Sequence, residues 1–131
     1  MPVAAMPGFV GCHSAELAEY RVAVLVSAHG RSPYLREQLA SIRSAIAPDD
    51  ILIVVDDGSG QVDWDVLDDW PPHFLCWSRL QGLGSALSFM ELLLDTPVHA
   101  RYYCWADQDD IWHEEKLRRQ LQALTAAPGA W

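Results

Sequence analysis

Three carboxylates fall within four residues at Asp107, Asp109 and Asp110, directly after the bulky run Tyr102-Tyr103-Cys104-Trp105-Ala106. Bulky residues resume at Ile111-Trp112. An apolar, aromatic-rich run of this length suits a buried strand. Its interior cannot hold ionised carboxylates, so they belong at the strand's end, where the chain emerges. Crowded carboxylates repel one another unless a cation neutralises them, and oxygen donors of this kind suit a hard ion such as Mg2+ or Mn2+. The same residues also suit a solvated acidic turn that caps the next helix, since aspartate favours helix starts. A second acidic pair, Asp56-Asp57, ends the run Ile51-Leu52-Ile53-Val54-Val55 and is followed by Gly58-Ser59-Gly60. Carboxylate oxygens there can accept hydrogen bonds from a pyrimidine N–H and from ribose hydroxyls.

These groups need elements to position them. Val22 to Val26 is a continuous β-branched run, as expected of a parallel strand covered on both faces. It opens into the small-residue loop Ser27-Ala28-His29-Gly30-Arg31. Ser32-Pro33 predicts an N-cap and first helical position, with Leu35, Leu39, Ile42 and Ile46 at helical spacing behind it. Pro48-Asp49-Asp50 ends that helix, and Ile51 to Val55 is the second strand. A short helix within Gln61 to Trp70 places Trp64 and Leu67 inward and is broken by Pro71-Pro72. Phe74 to Trp77 reads as a third strand, and Gln81-Gly82-Leu83-Gly84-Ser85 leads into a helix from Ser85 to Leu94. Leu87, Met90 and Leu94 share one face of it. The opening stretch is the fourth strand, and a helix from Glu114 to Leu124 turns Leu117, Leu121 and Leu124 inward.

Strands alternating with helices predict a doubly wound, mainly parallel α/β sheet. Ligands of such sheets sit beyond the carboxyl ends of the strands. The loop at Ser27 to Arg31, Asp56-Asp57 and Asp107 to Asp110 all reach that edge, and their convergence favours the metal over the acidic turn. His29 can hydrogen-bond a nucleotide or be a plain loop histidine, and Ser59 caps the turn after Asp56-Asp57. Arg31 and Arg79 can pair with phosphate oxygens or stay solvated.

The totals narrow the class. A chain of 131 residues is one domain, read as a flexible extension over 1–20, a folded unit over 21–125 and a tail over 126–131. The formal net charge of −9 argues against nonspecific binding to nucleic acid. Cys12, Cys76 and Cys104 lack metal-ligand spacing, and the two inside apolar runs fit core thiols of a reducing cytoplasm. No apolar run approaches the about 18 residues of a membrane-spanning helix. The expectation is a cytoplasmic protein without a transmembrane segment, compatible with contact at the inner face of a membrane.

The ordered chain from Val22 to Leu124 resembles a family 2 glycosyltransferase with the GT-A nucleotide-sugar-binding fold, a Rossmann-like half. The strand and loop Val22 to Arg31, then Ile53-Val54-Val55-Asp56-Asp57-Gly58-Ser59, carry the first part of the likeness. Gln81-Gly82-Leu83-Gly84-Ser85-Ala86 and Asp107-Gln108-Asp109-Asp110-Ile111-Trp112, with Lys116-Leu117, carry the rest. The last motif particularly resembles a rhamnosyltransferase-like branch that builds bacterial surface polysaccharide.

The resemblance implies a nucleotide site at Ala28, His29, Asp56, Asp57 and Asp107, with Asp56 on the base or ribose. It implies an Asp-x-Asp metal motif at Asp107 and Asp109 that holds Mg2+ or Mn2+. It further implies inverting transfer from a nucleotide-diphosphate sugar to a glycan or lipid-linked acceptor. Ser27-Ala28-His29-Gly30 stands where the family often shows Pro-Thr-Tyr-Asn, and Gln81 where an asparagine is usual. The chain reads as truncated, with the catalytic base and acceptor site expected in a C-terminal half beyond it. A noncatalytic nucleotide-binding domain is the alternative, with a receiver-type regulatory domain behind it because Ile53 to Asp57 also resembles a receiver's acidic strand end.

Overall fold

A computed structural model describes residues 9–13, 19–30, 33–67, 73–78, 82–95, 98–107 and 111–126. Five strands form one sheet: β1 (Phe9–His13), β2 (Tyr20–Ala28), β3 (Ile51–Asp56), β4 (Phe74–Ser78) and β5 (Ala100–Asp107). The described residues also form helices α1 (Leu35–Ala45) and α2 (Ser85–Asp95) between strands and α3 (Lys116–Ala126) after β5, with a short 3-10 helix at Trp64–Leu67. The spatial order is β1-β4-β3-β2-β5. β2, β3, β4 and β5 run parallel, and β1 is antiparallel to β4.

The continuous apolar runs explain the centre of the sheet. Val22 to Val26 and Ile51 to Val55 are all fully buried, because helices cover both faces of the strands that carry them. Val22, Val24, Val26, Leu52 and Val54 pack on one face with Leu35, Leu39 and Ile42 of α1 and Leu117 of α3. Ala23, Leu25, Ile51, Ile53 and Val55 fill the other face with Tyr20, Leu75 and Val98. On that side the Ser27 hydroxyl donates to Ser88 of α2 at 2.8 Å, and Ser88 is fully buried. The mainly parallel α/β fold expected from the sequence is the fold observed.

Three details differ from the sequence reading. Phe9–His13, placed by sequence in an extension, adds an edge strand to the sheet. The first helix begins at Leu35 with Tyr34 in the N-cap position and no side-chain cap. Pro33 lies in the preceding turn, and Ser32 lies outside the described residues. The stripe Leu87, Met90 and Leu94 faces solvent, since α2 turns Ser88 toward the sheet. Tyr103 and Trp105 are also exposed, on β5 at the end of the strand order.

Burial pushes the Cys104 thiol up, against a smaller opposing pull from Lys116, so it stays protonated. Cys76 is a buried thiol. Among the described residues no helix is long and apolar enough to cross a membrane.

Candidate functional site

The chain steps from β2 to β3 and β4 in one direction, then returns to place β5 on the other side of β2. That reversal is a topological switch point, and ligands of such sheets bind beyond the carboxyl ends of the strands, here β2, β3 and β5. Ala28, Asp56 and Asp107 are the last residues of those strands. Register fixes them: Ala28 pairs with Asp56 on one side of β2, and Ser27 pairs with Asp107 on the other. With about 5 Å between neighbouring strands, the backbones of Asp56 and Asp107 stand roughly 10 Å apart across β2.

Asp56 is fully buried, and one of its oxygens is held by the turn behind it. Oδ1 accepts the Ser59 N–H at 2.9 Å and the Ser59 hydroxyl at 2.7 Å. The Ser59 hydroxyl oxygen in turn accepts the Gln61 N–H at 3.1 Å, so the serine caps the turn as expected. Gly58 makes this geometry available with φ at 88°, a left-handed conformation that costs glycine nothing. Oδ2 of Asp56 is shielded from solvent and has no hydrogen-bond partner among the described residues. Buried carboxylate oxygens are rarely left so, and such an oxygen calls for a donor.

Asp57 is engaged differently. Its backbone N–H donates to the Ala28 carbonyl at 2.7 Å, which locks the ends of β2 and β3 together. Its carboxylate accepts the Leu83 N–H at 3.0 and 3.2 Å and the Gly84 N–H at 2.9 Å. Those amides lead into α2, so Asp57 ties the start of the helix to the strand edge and complements its dipole. Gly82 lies so close that an added Cβ would stand 2.6 Å from the Asp57 carbonyl oxygen. The sequence signalled this contact only through the glycine; Leu83 and Gly84 as donors to Asp57 were not foreseen.

Of the residues predicted for the site, Ala28, Asp56, Asp57 and the backbone of Asp107 are gathered at one edge. His29 follows Ala28 and is exposed beside it. Asp109 and Asp110, together with Arg31, Arg79 and Gln81, lie outside the described residues. Among the described residues no cluster of three or more His, Cys, Asp or Glu could hold a metal ion. The described part of the implied metal motif is Asp107, at the tip of β5. An all-oxygen donor set of Asp107 and Asp109 is the type a hard divalent cation takes.

The topology defines an α/β protein in which Asp56 and Asp107 end strands on either side of its switch point. The model of glycosyl transferase family 2 matches residues 23–130, and the chain belongs to that family. No curated protein matches the chain at a significant level. Membership suggests glycosyltransferase chemistry, with a nucleotide-sugar donor and an acceptor as the molecules bound, and divalent cations are common in the family.

Proposed function

We propose that this protein binds a nucleotide-diphosphate sugar across the carboxyl ends of β2, β3 and β5 and serves its inverting transfer to a glycan or lipid-linked acceptor. The observation that carries the reading is the buried Oδ2 of Asp56, without a partner among the described residues, at the switch point of a family 2 fold. A base N–H or a ribose hydroxyl supplies the donor this oxygen lacks. Ser59 holds the other oxygen, so the carboxylate is oriented before any ligand arrives. Ala28 and His29 line the nucleotide from the adjacent loop, and Asp57 keeps that loop and the start of α2 in register.

Asp107 and Asp109 would hold Mg2+ or Mn2+ against the diphosphate. A bound divalent cation neutralises the phosphates and stabilises charge that builds on the leaving group. The fold supports this need. Asp57 already fills the N-terminus of α2, an end that would otherwise attract phosphate, and the protein carries a net charge of −9. Asp107 and Asp109 are assigned to the cation, and the base that deprotonates the acceptor hydroxyl is assigned to neither. The motif from Asp107 to Trp112 supports a place in the rhamnosyltransferase-like branch, which serves bacterial surface polysaccharide.

Calorimetry with UDP, dTDP and GDP, each with and without Mn2+, tests the reading. At least one nucleotide binds the wild type, more tightly with Mn2+. Asp109→Ala removes the metal dependence, and Asp56→Ala weakens nucleotide binding about tenfold or more while the metal dependence persists. A wild-type chain that binds none of the three under either condition refutes the proposal.

A further inference from the structure

We infer that the outer edge of β5 pairs antiparallel with β5 of a second copy of this chain, joining two five-stranded sheets into one. The inference goes beyond the nucleotide-sugar reading and does not depend on it. It starts from a difference between the two edges of the sheet. β1, at one end of the strand order, has five residues, a central glycine and a register shift against β4 between Phe9 and Gly11. Short, irregular strands of this kind blunt an edge. β5, at the other end, has eight residues in regular register with β2, and among the described residues no other strand lies beside it. Its run Tyr102-Tyr103-Cys104-Trp105-Ala106 contains no charge, proline or glycine, the usual guards of a free edge. Tyr103 and Trp105 share one face of the strand and are 37% and 49% exposed. A long, regular edge flanked by exposed aromatic rings is built to receive a further strand.

The sequence of β5 points to its own copy as that strand. Antiparallel pairing with Cys104 opposite its counterpart sets Tyr103 against Trp105 and Arg101 against Asp107, each pair occurring twice. Arg101 and Asp107 are the only charged residues of the strand, so this register matches both of them. Aromatic pairs and opposite charges across neighbouring strands both stabilise a sheet. Sliding to the next register on the same face sets Tyr103 or Trp105 against itself and loses the charge match. Arg101 has room for a new partner: its side chain is 70% exposed and touches Glu19 loosely, at 3.7 Å. The two-fold contact consumes both β5 edges and leaves the blunted β1 edges outside, so assembly closes at the dimer instead of growing. The carboxyl edges that carry Asp56 then face opposite ends of the joined sheet. One added strand with two aromatic rings buries on the order of 500 Å2 per copy, below the about 800 Å2 of a standard interface. The dimer is therefore weak, with a Kd of about 1–100 µM.

Sedimentation velocity from about 1 µM to about 1 mM protein reads the association directly. Salt near 0.15 M screens repulsion between two chains of net charge −9. Wild type passes from monomer to dimer across this range. In wild-type hydrogen exchange, amides within Tyr102 to Ala106 slow as the dimer forms, while those of β1 do not change. Trp105→Lys and Tyr103→Lys each weaken the dimer about tenfold or more, with circular dichroism checking that the fold is kept. Leu94→Lys, on the exposed stripe of α2, leaves the Kd at the wild-type value. A wild-type chain that stays monomeric throughout overturns the inference. So does a dimer that adds no protection to β5, or one that Leu94→Lys weakens as much as Trp105→Lys. Protection of β5 that is already complete in the monomer means that the edge is covered from within the chain, and it overturns the inference as well.

Discussion

Asp56 and Asp57 are adjacent, acidic and buried, yet they do different work. Successive residues leaving a strand point to opposite sides, so one carboxylate meets Ser59 while the other meets the start of α2. Removing the second should loosen the edge. Asp57→Ala leaves the Leu83 and Gly84 amides without their carboxylate and costs about 1–2 kcal/mol in thermal or urea unfolding. Gly82→Ala drives a methyl against the Asp57 carbonyl oxygen and costs about 1–3 kcal/mol in the same assay. A Gly82→Ala protein as stable as wild type would show that the close approach is not required. The place of Asp56 at the carboxyl end of its strand was legible in the sequence, since a continuous apolar run stops there. The role of Asp57 was not, because its partners arrive from a loop 26 and 27 residues away and are backbone amides without side-chain identity.

At the scale of elements, the opposite end of the sheet has its own polar device. Asp50, fully buried, precedes β3 and receives Arg21 Nε at 2.9 Å and Nη2 at 2.6 Å. It also accepts the Val22 N–H at 3.1 Å and the Ala47 N–H at 2.7 Å. One carboxylate thus joins the start of β2 to the loop after α1, and its contact with Arg21 raises the guanidinium further above its ordinary range. Arg21→Met strands a buried charge on two amides alone and destabilises the fold by about 2–3 kcal/mol, measured by urea unfolding at neutral pH. Equal stability would mean that the two amides suffice.

The strands themselves were readable because β2 and β3 are continuous apolar runs. Element starts were not. The first helix begins after the serine-proline signal, at a Tyr34 cap that no propensity favours. β1 is five residues with a central glycine, and its strand character comes from pairing with the outer edge of β4 rather than from local pattern. The apolar stripe of α2 gave the right helix but not which face the sheet would use; among the side chains described there, the buried one is Ser88, bonded to Ser27.

At the scale of the molecule, β2 is the shared spine of the site: β3 brings Asp56 to one side of it and β5 brings Asp107 to the other. The two neighbours arrive very differently along the chain. β3 follows β2 after a single helix, whereas β5 follows only after the chain has gone out to β4 and returned through α2. Closing the longer loop costs more entropy and comes later in folding, and during synthesis β5 also emerges last of the strands. Pulse-labelled hydrogen exchange during refolding should therefore protect the amides of Ile53 and Val54 before those of Cys104 and Trp105. Simultaneous protection of both groups would rule this out. The register of the sheet thus carries a chronology: the wall that ends in Asp56 matures first, and the wall that ends in Asp107 is added to a scaffold already formed.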